Sequence, residues 1–176
     1  MDKSLIQDLS FLSQTQKVRT AVIGIGNTLA GDDGAGIAAL ELLKCKMDKN
    51  PDLLFASLYG DLFSVTEFLG LADRFIFLDA VAASVPGELF VGVTVPLSGL
   101  SSSFHQSDIG SVMESLRRIE YIDPFPVWEI RGVTIMPPDR LHEGLSPAVE
   151  QAVGRLVDNL VAELRERSAG PDDSIS

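Results

Sequence analysis

Cysteine is nearly absent: Cys45 stands alone among 176 residues. One thiol cannot close an internal disulfide, and with no Cys or His beside it in sequence it offers neither a zinc site nor a thiolate nucleophile. Its place in a helical stretch makes it a packing residue. Basic residues are scarce too, 14 Lys and Arg against 25 Asp and Glu, for a formal charge of −11. That balance argues against a nucleic-acid backbone, an anionic membrane or an acidic substrate as the main partner. No apolar run approaches the ~20 residues needed to span a bilayer. The opening residues, Met1 to Ser10, lack the basic start and continuous apolar core of a signal peptide. A soluble, cytoplasmic protein is expected.

What is present is a hydrophobic fraction of 45% with 22% charged residues, enough for one core without staples. A single α/β domain is expected over residues 18–167, with an N-terminal extension over 1–17 and a disordered tail over 168–176. The extension carries a loosely amphipathic stretch from Leu5 to Gln14. Thr20 to Ile25, Leu53 to Leu58 and Arg74 to Leu78 read as buried strands, the last a continuous apolar run of the kind a covered sheet requires. Leu89 to Val95 follows a Val85-Pro86-Gly87-Glu88 turn and reads as an edge or hairpin strand, ended by Pro96. Val127 to Thr134 is the fifth strand. Helices are expected from Gly34 to Met47, Leu62 to Leu69, Ser107 or Asp108 to Arg118, and Pro147 to Arg167, the last with Ser146 as N-cap and Pro147 at the first helical position.

Strands alternate with helices, which predicts a three-layer α/β/α sandwich around a twisted, largely parallel sheet, of the phosphorylase/hydrolase-like kind. Such folds place their site at the carboxyl ends of the strands.

At the end of the first strand the chain reads Gly24-Ile25-Gly26-Asn27-Thr28-Leu29-Ala30-Gly31-Asp32-Asp33-Gly34-Ala35-Gly36. A dinucleotide loop offers backbone N–H groups to a pyrophosphate and keeps negative charge away. This loop supplies negative charge, and its glycines depart from the G-x-G-x-x-G spacing. A cation or metal is the better ligand. Asp33 also lies where a helix begins, so capping is a second reading for one of the two acids. Asp79 closes the third strand, and His105 lies in the serine-rich loop after the edge strand. Two carboxylates and an imidazole make an N/O ligand set suited to nickel, zinc, iron or cobalt.

These segments, with Phe77-Leu78-Asp79-Ala80, Phe104-His105-Gln106, Gly132-Val133-Thr134-Ile135 and Gly144-Leu145-Ser146-Pro147-Ala148-Val149, resemble the hydrogenase maturation endopeptidases. The likeness runs from about Val18 to Leu164. It implies that Asp33, Asp79 and His105 occupy that family's three metal-contacting and catalytic positions. It also implies a nickel ion carried by the substrate, a [NiFe] hydrogenase large-subunit precursor whose C-terminal extension is removed after metal insertion. Gly26, Asn27, Asp32 and Asp61 are candidates for a substrate loop. Many members have an Asp-Gly-Gly-Ser/Thr turn after the second strand, where this chain reads Ser57-Leu58-Tyr59-Gly60-Asp61-Leu62. Asp61 either stands in for the missing acid or caps the helix at Leu62.

No nucleotide cofactor is expected, and a monomer with an apolar patch near the site for a transient complex is the default. A non-catalytic nickel-sensing chaperone and a Rossmann-like nucleotide-binding protein are the competing functions. A serine hydrolase using Ser101, Ser102 or Ser103 with His105 lacks a G-x-S-x-G elbow. His142 is expected to be structural or exposed. Trp128, Glu129 and Arg131 on the last strand, with Glu129 and Arg131 sharing the face opposite Trp128 and Ile130, are expected to serve strand packing and a surface ion pair.

Overall fold

The computed structural model describes residues 17–93, 109–136 and 143–168. The expected N-terminal helix, the Leu97 to Gln106 loop with His105, the Ser107 and Asp108 caps, His142 and most of the tail lie outside the described residues. Five strands form one sheet: β1 (Val18–Ile25), β2 (Leu53–Leu58), β3 (Ala72–Ala82), β4 (Leu89–Val93) and β5 (Val127–Ile135), in the order β2-β1-β3-β5-β4. The pairs β1/β2, β1/β3 and β3/β5 are parallel, and β4 joins β5 antiparallel at the edge. The largely parallel sheet and the edge position of β4 match the reading of the sequence. β3 is longer than its apolar run, however, so Asp79 sits inside the strand rather than just beyond it.

Period-two alternation sorts the strand residues onto two covered faces. Val22, Ile76, Leu78, Val133 and Ile135 face α1 (Ala35–Met47) and α3 (Pro147–Ser168). Ala21, Ile23, Phe75, Phe77 and Trp128 face α2 (Ile109–Arg118) and the turn at Leu62–Glu67. That turn is a 3₁₀ helix rather than an α-helix. α3 buries Val149, Val153, Leu156, Val157, Leu160, Val161 and Leu164 on its inner stripe. Each such side chain contributes about 1.5–3 kcal/mol when fully buried, which makes α3 a main fastening of its layer. Cys45 corrects the expectation of a packing residue: it is exposed on α1, because Leu43 and Met47 take the core-facing positions around it.

Glu129 and Arg131 are a second correction. They share the α3 face of β5 as expected, yet they belong to a network beneath that helix and not to a surface pair. Arg74 Nη2 donates to Glu129 Oε1 and, at 3.0 Å, to Glu163 Oε1. Arg131 Nη2 donates to Glu129 Oε2 at 3.1 Å and to Glu163 Oε2 at 3.2 Å. Glu129 is only 9% exposed. Burial alone would raise the Glu163 pKa, but the hydrogen bond from Arg74 and the charges of Arg131, Arg74 and Arg167 outweigh it and hold the carboxyl below its ordinary value.

One helical layer comes very close to the sheet at the start of α1. A Cβ on Gly36 would stand 2.2 Å from the carbonyl oxygens of both Ile25 and Leu78, so α1 enters directly over the end of β1 and the middle of β3. Gly36→Ala should therefore destabilise the protein by about 3 kcal/mol or more, the range of a buried clash with backbone, read as a loss of several degrees in melting temperature. The depressed Glu163 carboxyl stabilises the fold above its ordinary pKa of 4.5, and that contribution fades as pH falls through the lowered folded value. In Glu163→Gln the acid side of the melting-temperature profile should accordingly be flatter than in the parent.

Candidate functional site

The switch in strand order lies between β1, whose chain leaves toward β2, and β3 on its other side. The crevice at the carboxyl ends of β1 and β3 is where an α/β sheet binds its ligand. The loop after β1 reaches it through Gly26, whose φ of 142° is open to glycine but strained for other residues. A Cβ there would lie 2.1 Å from the Asp33 carbonyl, which the Asn27 N–H meets at 3.4 Å. The glycine thus folds the loop back on itself. Asn27 is exposed, and its Oδ1 accepts from the Leu29 N–H at 3.0 Å, a local turn of the kind Asn favours.

The adjacent acids do different work. Asp32 Oδ1 accepts from the Ser146 N–H at 2.6 Å and Oδ2 from the Ser146 hydroxyl at 2.8 Å. Both oxygens are engaged by the residue that precedes α3, so Asp32 fastens the glycine loop to that helix. Asp32, a candidate for the substrate loop, is thus held by Ser146. Asp33 lies in the 3₁₀ turn Gly31–Gly34 and is half-buried. It does not cap α1: the N-cap position belongs to Gly34, without a side-chain capping bond.

Asp79 is half-buried, opposite Gly132 in the β3/β5 register. Its Oδ1 accepts from the Ala80 N–H at 2.8 Å. The contact of Gly36 with the Leu78 carbonyl places the segments bearing Asp33 and Asp79 side by side at one crevice. His105, the third expected member, lies outside the described residues. Among the described residues no group of three or more His, Cys, Asp and Glu is placed to hold a metal. Asp61 is a cap: its Oδ1 accepts from the Phe63 N–H at 3.0 Å and its Oδ2 from the Ser64 hydroxyl at 3.1 Å.

Three large apolar side chains stand exposed on the loops at this edge: Leu29 at 57%, Tyr59 at 65% and Phe63 at 56%. Leu29 follows β1, and Tyr59 and Phe63 follow β2. Sequence reading anticipated an apolar patch near the site without naming these residues. In the β2 to β3 connection Asp61 caps the turn at Leu62–Glu67, where Phe63 is exposed while Val65 and Leu69 pack inward.

Solved structures share this architecture. The [NiFe] hydrogenase maturation protease HybD from Thermococcus kodakarensis superposes with a TM-score of 0.64 and 23% identity, over 84% of this chain and 99% of its own. The hydrogenase maturating endopeptidase HybD from Escherichia coli gives 0.65 and 23%, over 85% and 94%. This chain has the hydrogenase maturation protease fold. The maturation protease HycI from Thermococcus kodakarensis KOD1 extends the match to 90% of this chain and 97% of its own, with a TM-score of 0.63 and 23% identity. No protein-family model and no curated protein sequence matches the chain. The resemblance read from the motifs thus reappears in the backbone.

Removing the Asp32 carboxylate strands the Ser146 N–H and hydroxyl. Asp32→Ala should cost about 2–4 kcal/mol, the sum of two hydrogen bonds to a charged group, measured by denaturant unfolding.

Proposed function

We propose that this protein is a nickel-dependent endopeptidase that trims the C-terminal extension from a [NiFe] hydrogenase large-subunit precursor after metal insertion. What supports this reading is the fold shared with the maturation proteases, together with the close approach of α1 to Ile25 and Leu78 that brings the loop bearing Asp33 near the segment bearing Asp79. In this reading nickel arrives as part of the substrate. Asp33, Asp79 and His105 contact it, so that a precursor without metal is not engaged. The ion, fixed between enzyme and precursor, orients the scissile peptide, polarises its carbonyl and lowers the pKa of an attacking water. No nucleophilic side chain is required.

The division of labour between Asp32 and Asp33 supports this assignment. Asp32 holds the loop to Ser146, which leaves the neighbouring carboxylate in a fixed setting. Leu29, Tyr59 and Phe63 supply the apolar contact surface for the precursor beside the crevice. The enzyme works as a monomer in the cytoplasm, on a partner that is neither nucleic acid nor membrane. No helix of the described residues is long and apolar enough to cross a bilayer.

The decisive experiment incubates the protein with nickel-loaded and nickel-free precursors of the host's hydrogenase large subunits and reads intact mass. Loss of a C-terminal peptide from the loaded form alone is expected, with Asp79→Asn and His105→Ala leaving the mass unchanged. Binding of the loaded precursor without any mass change would replace this reading with a nickel-sensing chaperone.

A further inference from the structure

The opposite end of the sheet carries charge of the other sign. At the amino ends of β1, β2 and β3, beside the last turn of α3, an open cavity of about 280 Å³ is lined by Arg19, Arg74 and Arg167 with Asp52, Leu53 and Leu164 among their neighbours. Three guanidinium groups line it against one carboxylate. From this geometry we propose that the cavity binds a small multivalent oxyanion, a polycarboxylate or a phosphate.

The charge beneath the wall does not cancel these arginines. Arg74 and Arg131 share Glu129 and Glu163, and each reaches both carboxylates through Nη2 alone. Arg167 Nε adds a third cation to Glu163 at 3.2 Å. Two carboxylates therefore serve three guanidinium groups. Arg74 Nη1 and Arg131 Nε are buried without a hydrogen-bond partner, a condition that protein interiors seldom tolerate for a charged group. Arg19, the fourth cation, donates from Nη1 to the Arg167 carbonyl at 3.5 Å. That contact suits a cation at a helix C-terminus, but it uses one nitrogen of a group that has several donors.

In a chain of net charge −11, a concave surface with surplus positive charge concentrates anions. Guanidinium groups are the side chains best shaped to grip carboxylate or phosphate through paired N–H donors. Leu53 and Leu164 give the same cavity an apolar wall, which accepts the carbon skeleton of a polycarboxylate. The cavity lies at the amino ends of the strands and the acidic crevice at their carboxyl ends, so this proposal stands or falls independently of the protease reading.

The test is calorimetric titration of the full chain with citrate and, separately, inorganic phosphate, at ionic strength matched with sodium chloride. Millimolar anion concentrations avoid the general stabilisation that such salts exert by exclusion from protein surfaces. Saturable binding of either anion is expected. Arg19→Gln and Arg167→Gln, both at exposed positions, should each weaken binding about tenfold, the effect of one lost charge-assisted hydrogen bond. Asp52→Asn should tighten it by removing the opposing charge. Citrate bound in preference to phosphate identifies the polycarboxylate, and the reverse identifies the phosphate. No saturable heat with either anion, or binding unchanged in both arginine variants, would overturn the proposal.

Discussion

The structure turns on one close approach, that of the first turn of α1 to the carbonyl oxygens of Ile25 and Leu78. Only a residue without a Cβ lets the helix sit over two neighbouring strands at that distance. Everything at the candidate site inherits its position from this contact. The loop that carries Asp32 and Asp33 is the short path from β1 to that helix, and Asp79 is the residue directly after Leu78. The acidic crevice is therefore a property of backbone packing before it is a property of side chains. Its precision comes from the layer that the core holds most firmly.

Around that contact the polar groups divide into fastening and function. Two neighbouring carboxylates on a glycine-rich loop would repel each other if both faced one solvent-filled crevice. The structure relieves this by turning Asp32 toward Ser146, where an N–H and a hydroxyl occupy its oxygens. The arrangement also serves α3, whose first N–H groups need partners that the helix itself cannot provide. A single side chain thus closes the loop on one side and starts a helix on the other. The Arg74, Glu129, Arg131 and Glu163 network plays a comparable part at the far end, tying β3 and β5 to α3. Its value lies in fixing how those elements meet more than in net stability, since buried ion pairs recover little beyond their desolvation.

Much of this was legible in the residues because hydrophobic period and turn chemistry are local signals. β2 appears with the limits read from its apolar run, and α3 begins at the Ser146-Pro147 signature. The continuous apolar run of β3 marked a covered strand, but its true length did not show, because Asp73 and Asp79 flank that run while lying inside the strand. The 3₁₀ form of the Leu62–Glu67 turn was hidden for a similar reason: spacing over six residues does not separate a tight helix from a regular one. What the sequence could not disclose was pairing at long range. The partner of Asp32 lies 114 residues away, and Glu129 shares its two arginines, Arg74 of β3 and Arg131 of its own strand, with Glu163 of α3. Cys45 was misread because the apolar residues around it on α1 outnumber the positions that face the core.

α3 has a consequence for the molecule as a mechanical object. Its 22 residues form a rod about 33 Å long at 1.5 Å per residue. One tip is clamped by Asp32 beside the acidic crevice, and the other supplies Leu164 and Arg167 to the arginine-lined cavity. A helix so fully seated on its sheet does not stretch or shear internally, because its packed neighbours interdigitate with little free volume. The acidic crevice and the arginine-lined cavity thus share a single continuous structural element.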